Sequence, residues 1–308
     1  MTAVSFGFPS PGHLGPVFAT IGTFDGVHRG HQALIKPLIA KAKAAGAASL
    51  LVTFEPHPRC VVDPDHCPAS LTTLDEKTLL LDRMGLDHLV VVPFTPQVAG
   101  LRAATFMERL TRGMQLRHLV TGEDFRFGHG RRGDPALLRR LGARQGFTVE
   151  VLPTISRGRE PVSSSRIRRL VLLGQMRAVA QLLGRDYLFR STVEPGEKRG
   201  RQLGYPTANL RILPNKLVPA SSVYAARVDI DGESRGGALS VGYRPTFGGH
   251  NLTVEVFILD FDGDLYGRTL NLWVVQRLRG EKRFASVAGL TTQMARDVEN
   301  ARRILARS

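Results

Sequence analysis

Two histidines three residues apart, His28 and His31, occupy the stretch GTFDGVHRGHQ (residues 22–32), directly after the apolar run PVFATI. The same turn carries Gly22, Phe24, Asp25, Gly26 and Gly30. Glycines let a backbone approach a ligand closely, and two imidazoles beside them can donate hydrogen bonds to phosphate oxygens. The rival chemistry is metal binding, since His-x-x-His can ligate zinc. That reading needs a third ligand, and its candidates His57, His66 and Cys67 stand at no recognisable metal-site spacing. A turn with incidental histidines is the plain structural alternative.

A second stretch with chemical potential is GEKRGRQLGYPTANL (residues 196–210). Gly196, Lys198, Gly200 and Arg201 make a glycine-rich basic loop, which can hold phosphate or be a solvated hairpin turn. Thr207 and Asn209 are two apart, so on extended chain they share a face. Two neutral oxygen ligands there suit a nucleotide-borne Mg²⁺, which keeps waters and takes further oxygens from phosphate. A polar strand face is the alternative. Glu255 lies at the centre of the apolar run LTVEVFIL. A carboxylate is costly to bury unpaired, so it points either into a polar cavity or outward from a half-exposed strand.

These residues need elements to position them. Between residue 17 and about 155, short β-branched runs (PVFATI, SLLVTF, HLVVVPF, HLVTG, FTVEVLP) alternate with amphipathic stretches such as HQALIKPLIAKAKAAG and DPALLRRLGARQG. Strand and helix in strict turn predict a parallel α/β sheet with crossover helices, and ligands then bind at the carboxyl ends of the strands. The histidine turn falls at such an end, where the next helix's N-terminus favours negative charge. Pro37 is expected to kink the first helix or delay its start. Two further helices, SSSRIRRLVLLGQ and MRAVAQLLG, end at Gly184. From Tyr187 onward, strand runs punctuated by Gly and Asp turns, without intervening helices, predict an antiparallel sheet or small barrel. Leu290, Met294, Val298 and Ala301 then repeat at helical spacing and predict a terminal helix. The expected domains are 1–185, α/β, and 186–308, antiparallel β.

Composition bounds the function. The chain has 308 residues, 43% of them hydrophobic, enough for two ordinary cores. Its formal net charge of +15, spread over both halves, suits anionic partners: nucleic acid or small molecules bearing phosphates. A single Trp, and no RNP-like aromatic pattern or helix-turn-helix signature, argue against nucleic acid. Two cysteines and an N-terminus without a signal-peptide layout make disulfide-dependent secretion unexpected, and no apolar run approaches the roughly 18 residues of a membrane span. A cytoplasmic protein without membrane partners is expected. Oligomeric state is not legible.

The stretches GTFDGVHRGHQ, TFEPHP (53–58), TGEDFRFGHGRRGD (121–134) and VSSSRIR (162–168) together resemble the adenylyltransferase half of the prokaryotic bifunctional riboflavin kinase/FAD synthetase family. The resemblance implies a nucleotidyltransferase fold with His28 and His31 against ATP phosphates. It implies that Gly22, Phe24, Asp25, Gly26 and Asp124 lie at the nucleotide, that Ser164 with Arg166 or Arg168 closes over the triphosphate, and that Phe54, Pro56, His57 and Pro58 border the flavin. Residues 196–210, VGYRPTF (241–247), VEVFILDFDGDLYG (254–267) and LRGEKRF (278–284) resemble the same family's riboflavin kinase module. There Glu255 matches the catalytic base, Gly196, Lys198, Gly200 and Arg201 the phosphate loop, and Thr207 and Asn209 the Mg²⁺ ligands. The implied activity is phosphorylation of riboflavin to FMN and adenylylation of FMN to FAD, with ATP and Mg²⁺. The alternative is a divergent paralogue with adenylyltransferase activity but a weakened kinase or an altered flavin substrate. Departures from the family pattern motivate it: Thr23 in place of asparagine, Ser191 and Ser221 in place of glycine, Pro195 in place of histidine, and Phe257–Ile258 where histidine is usual.

Overall fold

The computed structural model describes residues 1–10, 14–158, 160–196, 200, 203–246 and 249–307, with backbone alone at 244–246, 249 and 250. Lys198 and Arg201 lie outside the described residues. The chain forms two compact units, residues 1–164 and 165–308.

The first unit carries a six-stranded parallel sheet in the order β1-β4-β3-β2-β5-β6. Its elements in chain order are β1 (Ala3–Phe6), β2 (Leu14–Ile21), α1 (Arg29–Ala44), β3 (Ala48–Glu55), α2 (Pro58–Val62), α3 (Leu74–Asp82), β4 (His88–Pro93), α4 (Pro96–Ala99), α5 (Ala103–Thr111), β5 (Met114–Gly122), α6 (Pro135–Gln145) and β6 (Thr148–Leu152). Leu50, Leu51, Val52, Leu89, Val90 and Val91 are almost wholly buried, the continuous apolar run of strands covered on both faces. Chain order reverses between β2 and β5, so the turn after β2 opens at the switch point where doubly wound sheets bind ligands. The edge strand β1 was not expected from the sequence; its four residues are all solvent-exposed, Val4 and Phe6 included.

Pro37 does not delay the start of the first helix. Helix α1 starts at Arg29 and runs through Pro37 to Ala44. The proline is exposed, while Ile35, Leu38 and Ala42 anchor the helix on both sides of it. Cys60 and Cys67 are joined in a disulfide. Two cysteines are too few for a framework, yet seven residues of separation and a turn bring this pair together, and Cys67 is therefore no thiolate ligand for a metal.

A short hairpin, β7 (Ser156–Arg157) with β8 (Glu160–Pro161), precedes α7 (Ser164–Leu172) and α8 (Met176–Leu183). In the second unit β9 (Tyr187–Glu194), β10 (Thr207–Leu210), β11 (Ser222–Ile230), β12 (Glu233–Thr246), β13 (Gly249–Ile258) and β14 (Thr269–Gly280) close a barrel in the order β10-β13-β12-β11-β14-β9. Every pairing in it is antiparallel. Closure removes free edges. Helix α8 packs its buried Met176, Val179, Leu182 and Leu183 against β9 and β14. The terminal helix α9 (Val287–Leu305) packs on β11, β12 and β14. Its expected apolar stripe is only half-buried apart from Ala301; the buried anchor is Asp297, whose carboxylate takes the Arg279 guanidinium at 2.8 and 3.0 Å. The parallel α/β sheet, the antiparallel barrel and the terminal helix match the expected fold class.

Candidate functional site

The turn after β2 is bent through two non-glycine residues in the left-handed region, Phe24 (φ 46°) and Val27 (φ 40°). Such backbone costs about 1–3 kcal/mol per residue and persists only where the surroundings enforce it. Here they do. Asp25, 4% exposed, accepts from Leu71 N (3.1 Å) and Thr72 N (3.0 Å), and the Thr72 hydroxyl accepts from Gly26 N (3.0 Å). Asp25 thus ties the turn to the segment preceding α3. On the other side, Thr23 O accepts from Lys77 Nζ (2.8 Å) and from Thr53 Oγ1 (3.0 Å).

His28 closes the turn as the N-cap of α1, its Nδ1 accepting from His31 N at 3.3 Å. The two rings stack with centroids 3.5 Å apart and planes 17° from parallel. A Cβ at Gly30 would stand 3.1 Å from the His28 ring, so a larger residue between the histidines would press on the pair. The stacked imidazoles sit over the N-terminus of a 16-residue helix, where the helix dipole favours an anion. Gly22 joins β2 to the turn, donating its N–H to Val52 O. The Ser164 hydroxyl donates to Asp25 O at 2.9 Å, bringing the start of the SSSRIR segment onto the turn's backbone. Arg166 and Arg168 follow on α7 and are half-buried.

The remaining predicted positions border the same carboxyl edge. Phe54 is the penultimate residue of β3 and contacts Phe94 edge-on at 5.5 Å; Pro56 and the N-cap His57 of α2 follow the strand, with Pro58 as the first residue of that helix. Asp124 lies beyond β5, exposed, with one oxygen accepting from Thr154 Oγ1 at 2.9 Å. Sequence reasoning missed Lys77, Thr53 and Thr72, which hold the turn. One signal was present: Lys77, Leu80 and Leu81 fall at i, i+3, i+4, so the lysine occupies the buried stripe of α3. Burial pushes its ammonium pKa down from the ordinary lysine value, opposed by the charges of Asp25 and Glu55.

On the barrel, Glu255 alternates with buried Val254 and Val256 and therefore points away from the interior. It pairs across the sheet with Asn209, and the Thr207 hydroxyl donates to its Oε2 at 3.0 Å. Of the two orientations the sequence left open, the outward one is found, half-buried among polar neighbours. Gly196 and Gly200 lie against these side chains. A Cβ at Gly196 would stand 1.9 Å from Asn209 Nδ2, and one at Gly200 would stand 2.3 Å from Tyr205 O and 3.3 Å from Thr207 Oγ1. Only glycine fits there. Hydroxyl, amide and carboxylate side by side form a hard oxygen donor set suited to Mg²⁺. Among the described residues no group of three or more His, Cys, Asp or Glu converges as a metal cage. Ser191 and Ser221 are both outside the left-handed region, and Ser191 Oγ donates to Arg211 O at 2.5 Å, so these serines fit their backbone without strain.

A switch-point turn with two stacked imidazoles and a barrel bearing a carboxylate beside a hydroxyl and an amide give the chain two candidate sites of transferase type. The FAD synthetase family model matches residues 11–166 and the riboflavin kinase model residues 183–305. The chain belongs to the bifunctional riboflavin kinase/FMN adenylyltransferase family. It is 42% identical to the member from Pseudomonas fluorescens over 97% of this chain and 96% of that one. It is 37% identical to the member from Escherichia coli K12 over 92% and 91% of the two chains. A crystal structure described as a macrolide-efflux protein from Streptococcus pneumoniae superposes with a TM-score of 0.84 at 31% identity, covering 96% of this chain and 95% of that one. That description concerns that protein; among the described residues here, no helix is long and apolar enough to cross a membrane.

Proposed function

We propose that the barrel phosphorylates riboflavin to FMN and the parallel-sheet unit adenylylates FMN to FAD, both with ATP, in the cytoplasm. In the first step Glu255 takes the proton of the riboflavin 5′-hydroxyl as its oxygen attacks the γ-phosphorus, and ADP leaves. Gly196 and Gly200, with Lys198 and Arg201, receive the ATP phosphates, and Thr207 and Asn209 hold Mg²⁺ carried by the nucleotide. When bound, that ion neutralises charge on the phosphoryl oxygens. In the second step an FMN phosphate oxygen attacks the α-phosphorus of ATP, and pyrophosphate leaves. No covalent protein intermediate is needed, so His28 and His31 act by alignment and by donating to developing charge, helped by the N-terminus of α1 and by Ser164, Arg166 and Arg168. Gly22, Phe24, Asp25 and Gly26 shape the nucleotide turn, Asp124 lies at its rim, and Phe54, Pro56, His57 and Pro58 border the flavin.

The observation carrying this reading is the pairing of a proton acceptor, Glu255, with a hydroxyl and an amide across one strand pair, separate from an imidazole pair over a helix N-terminus. The unstrained Ser191 and Ser221 favour a working kinase over the weakened-kinase alternative. The test is incubation of the purified protein with riboflavin, ATP and Mg²⁺. FMN is expected to rise first and FAD to follow; absence of either product would refute that half. The functional boundary is placed at 185/186, so that residues 1–185 retain the SSSRIR segment with the turn. A folded 1–185 fragment should convert FMN to FAD, and a folded 1–164 fragment should do so far more slowly.

A further inference from the structure

Lys77 stands 5% exposed on α3, in a position where the helix otherwise buries Leu80 and Leu81. Its ammonium donates to Thr23 O at 2.8 Å and to Thr53 Oγ1 at 2.9 Å, and Thr53 Oγ1 donates in turn to Thr23 O at 3.0 Å. The three groups close a buried triangle behind Thr23, the residue immediately before left-handed Phe24. The same stretch of chain grips the turn a second time, since Leu71 N and Thr72 N bind the Asp25 carboxylate. The turn is therefore clamped at a carbonyl by α3 and at a carboxylate by the residues leading into α3.

A buried ammonium costs several kcal/mol in lost hydration, and an apolar side chain of similar length would fill the same space more cheaply. Burial lowers the Lys77 pKa while Asp25 and Glu55 oppose that shift, so the fold spends stability to keep an amine at this point. What the amine reaches is the backbone that leads directly to His28. A misplacement of about 1 Å at a phosphate-aligning group can cost roughly 10²-fold in rate, which is the scale on which such a clamp matters.

We propose that Lys77, acting through Thr23 and Thr53, is a positioning residue for adenylyl transfer: it fixes the turn that aims His28 and His31 at the ATP phosphates. The inference rests on the assignment of FAD formation to this turn.

The test uses the full-length protein, with riboflavin phosphorylation measured in parallel. Lys77→Met should lower kcat for FAD formation by about 10- to 100-fold, with KM for FMN and ATP within threefold and phosphorylation unchanged. Because Lys77→Met can fail to fold, Thr53→Val and Thr53→Ser form the second arm. Valine keeps the shape and removes the hydroxyl, and should lower kcat at least fivefold; serine restores the hydroxyl and should restore kcat. A folded Lys77→Met protein with wild-type kcat, or Thr53→Val indistinguishable from Thr53→Ser, would overturn the proposal. So would losses confined to KM. If His28→Ala also leaves FAD formation intact, the assignment of the turn has failed; if His28→Ala abolishes it while Lys77→Met does not, only the present inference has.

Discussion

Around His28 the backbone is bent through left-handed Phe24 and Val27 and held by buried polar side chains, Asp25 and Lys77. Around Glu255 the backbone is regular strand, and the groups that meet there do so through cross-strand register and through glycines that admit the loop. The first arrangement stores strain that a hydrogen-bond network must offset. The second stores none: pairing of β10 with β13 alone sets Asn209 opposite Glu255. A network-held site should be sensitive to residues behind it, whereas a register-held site should be sensitive mainly to the residues that touch substrate and to the space they need.

The strongest way to break this comparison is to remove one acting group from each region. Glu255→Gln preserves size and hydrogen bonding but removes basicity, so FMN formation should fall about 10²- to 10⁴-fold, while adenylylation of supplied FMN continues. His28→Ala removes a transition-state donor, so FAD formation should fall about 10²- to 10³-fold, while FMN formation continues. Mixed together, the two variants should make FAD from riboflavin as free FMN passes between them. Flavin products separated over time decide the matter: either substitution abolishing both reactions in a folded protein would show that the regions do not work independently.

Space on the barrel provides the next test. With a Cβ at residue 196 placed 1.9 Å from Asn209 Nδ2, Gly196→Ala must displace either the loop or the amide. Riboflavin phosphorylation should fall by about tenfold or more, with FAD formation from FMN unchanged and the melting temperature nearly so, because the loop and not the core absorbs the shift. Wild-type phosphorylation in Gly196→Ala would mean that whichever of the two yields, the backbone at residue 196 or the Asn209 amide, has no part in the reaction.

The two regions also differ in how far the sequence disclosed them. Strand-type runs with Gly/Asp turns marked the barrel strands from Tyr187 onward, and alternation of strand and helix marked the parallel sheet, because burial acts on whole segments. His28, His31 and Glu255 were legible as chemistry because their types are unusual where they stand. The clamp was not legible. Thr53 lies in the apolar run SLLVTF and looks like any β-branched strand residue, and its partner Thr23 is 30 positions away. Lys77 reads as a surface lysine unless its place on the stripe with Leu80 and Leu81 is weighed. The resemblance places Asp25 at the nucleotide, and nothing local in the sequence disclosed that its carboxylate also holds Leu71 N and Thr72 N. Partners brought together only by tertiary structure leave no local pattern. The disulfide between Cys60 and Cys67 is local, yet it was not legible either, since spacing alone distinguished neither pairing nor ligation.

The smallest expected effect tests whether sensitivity in the sheet unit is confined to the network behind the turn. Glu150 on β6 accepts from Lys41 Nζ of α1 at 2.5 Å and lies 3.0 Å from His118 Nε2 of β5, so it meets the helix capped by His28 near its far end. The hydrogen bond from Lys41 is the main cause holding the Glu150 carboxyl below its ordinary value; burial opposes it, and His118 adds to it. A carboxyl whose folded pKa is depressed stabilises the fold above its unfolded pKa and loses that contribution as pH falls through the folded value. The pair is partly exposed, so solvent screening limits it to about 0.5–1 kcal/mol at neutral pH. Glu150→Gln should therefore lower the melting temperature by about 1–4 °C at pH 7, and the gap from wild type should shrink as pH drops below about 4.3. FAD formation should stay within twofold of wild type, because the far end of α1 is held by the buried Ile35, Leu38 and Ala42 and not by this surface charge. Thermal melts at the two pH values, together with adenylylation rates, check both halves. A large loss of FAD formation in Glu150→Gln with the fold intact would mean that the turn is governed by charge along the whole of α1, and the contrast drawn here between network and register would have to be redrawn.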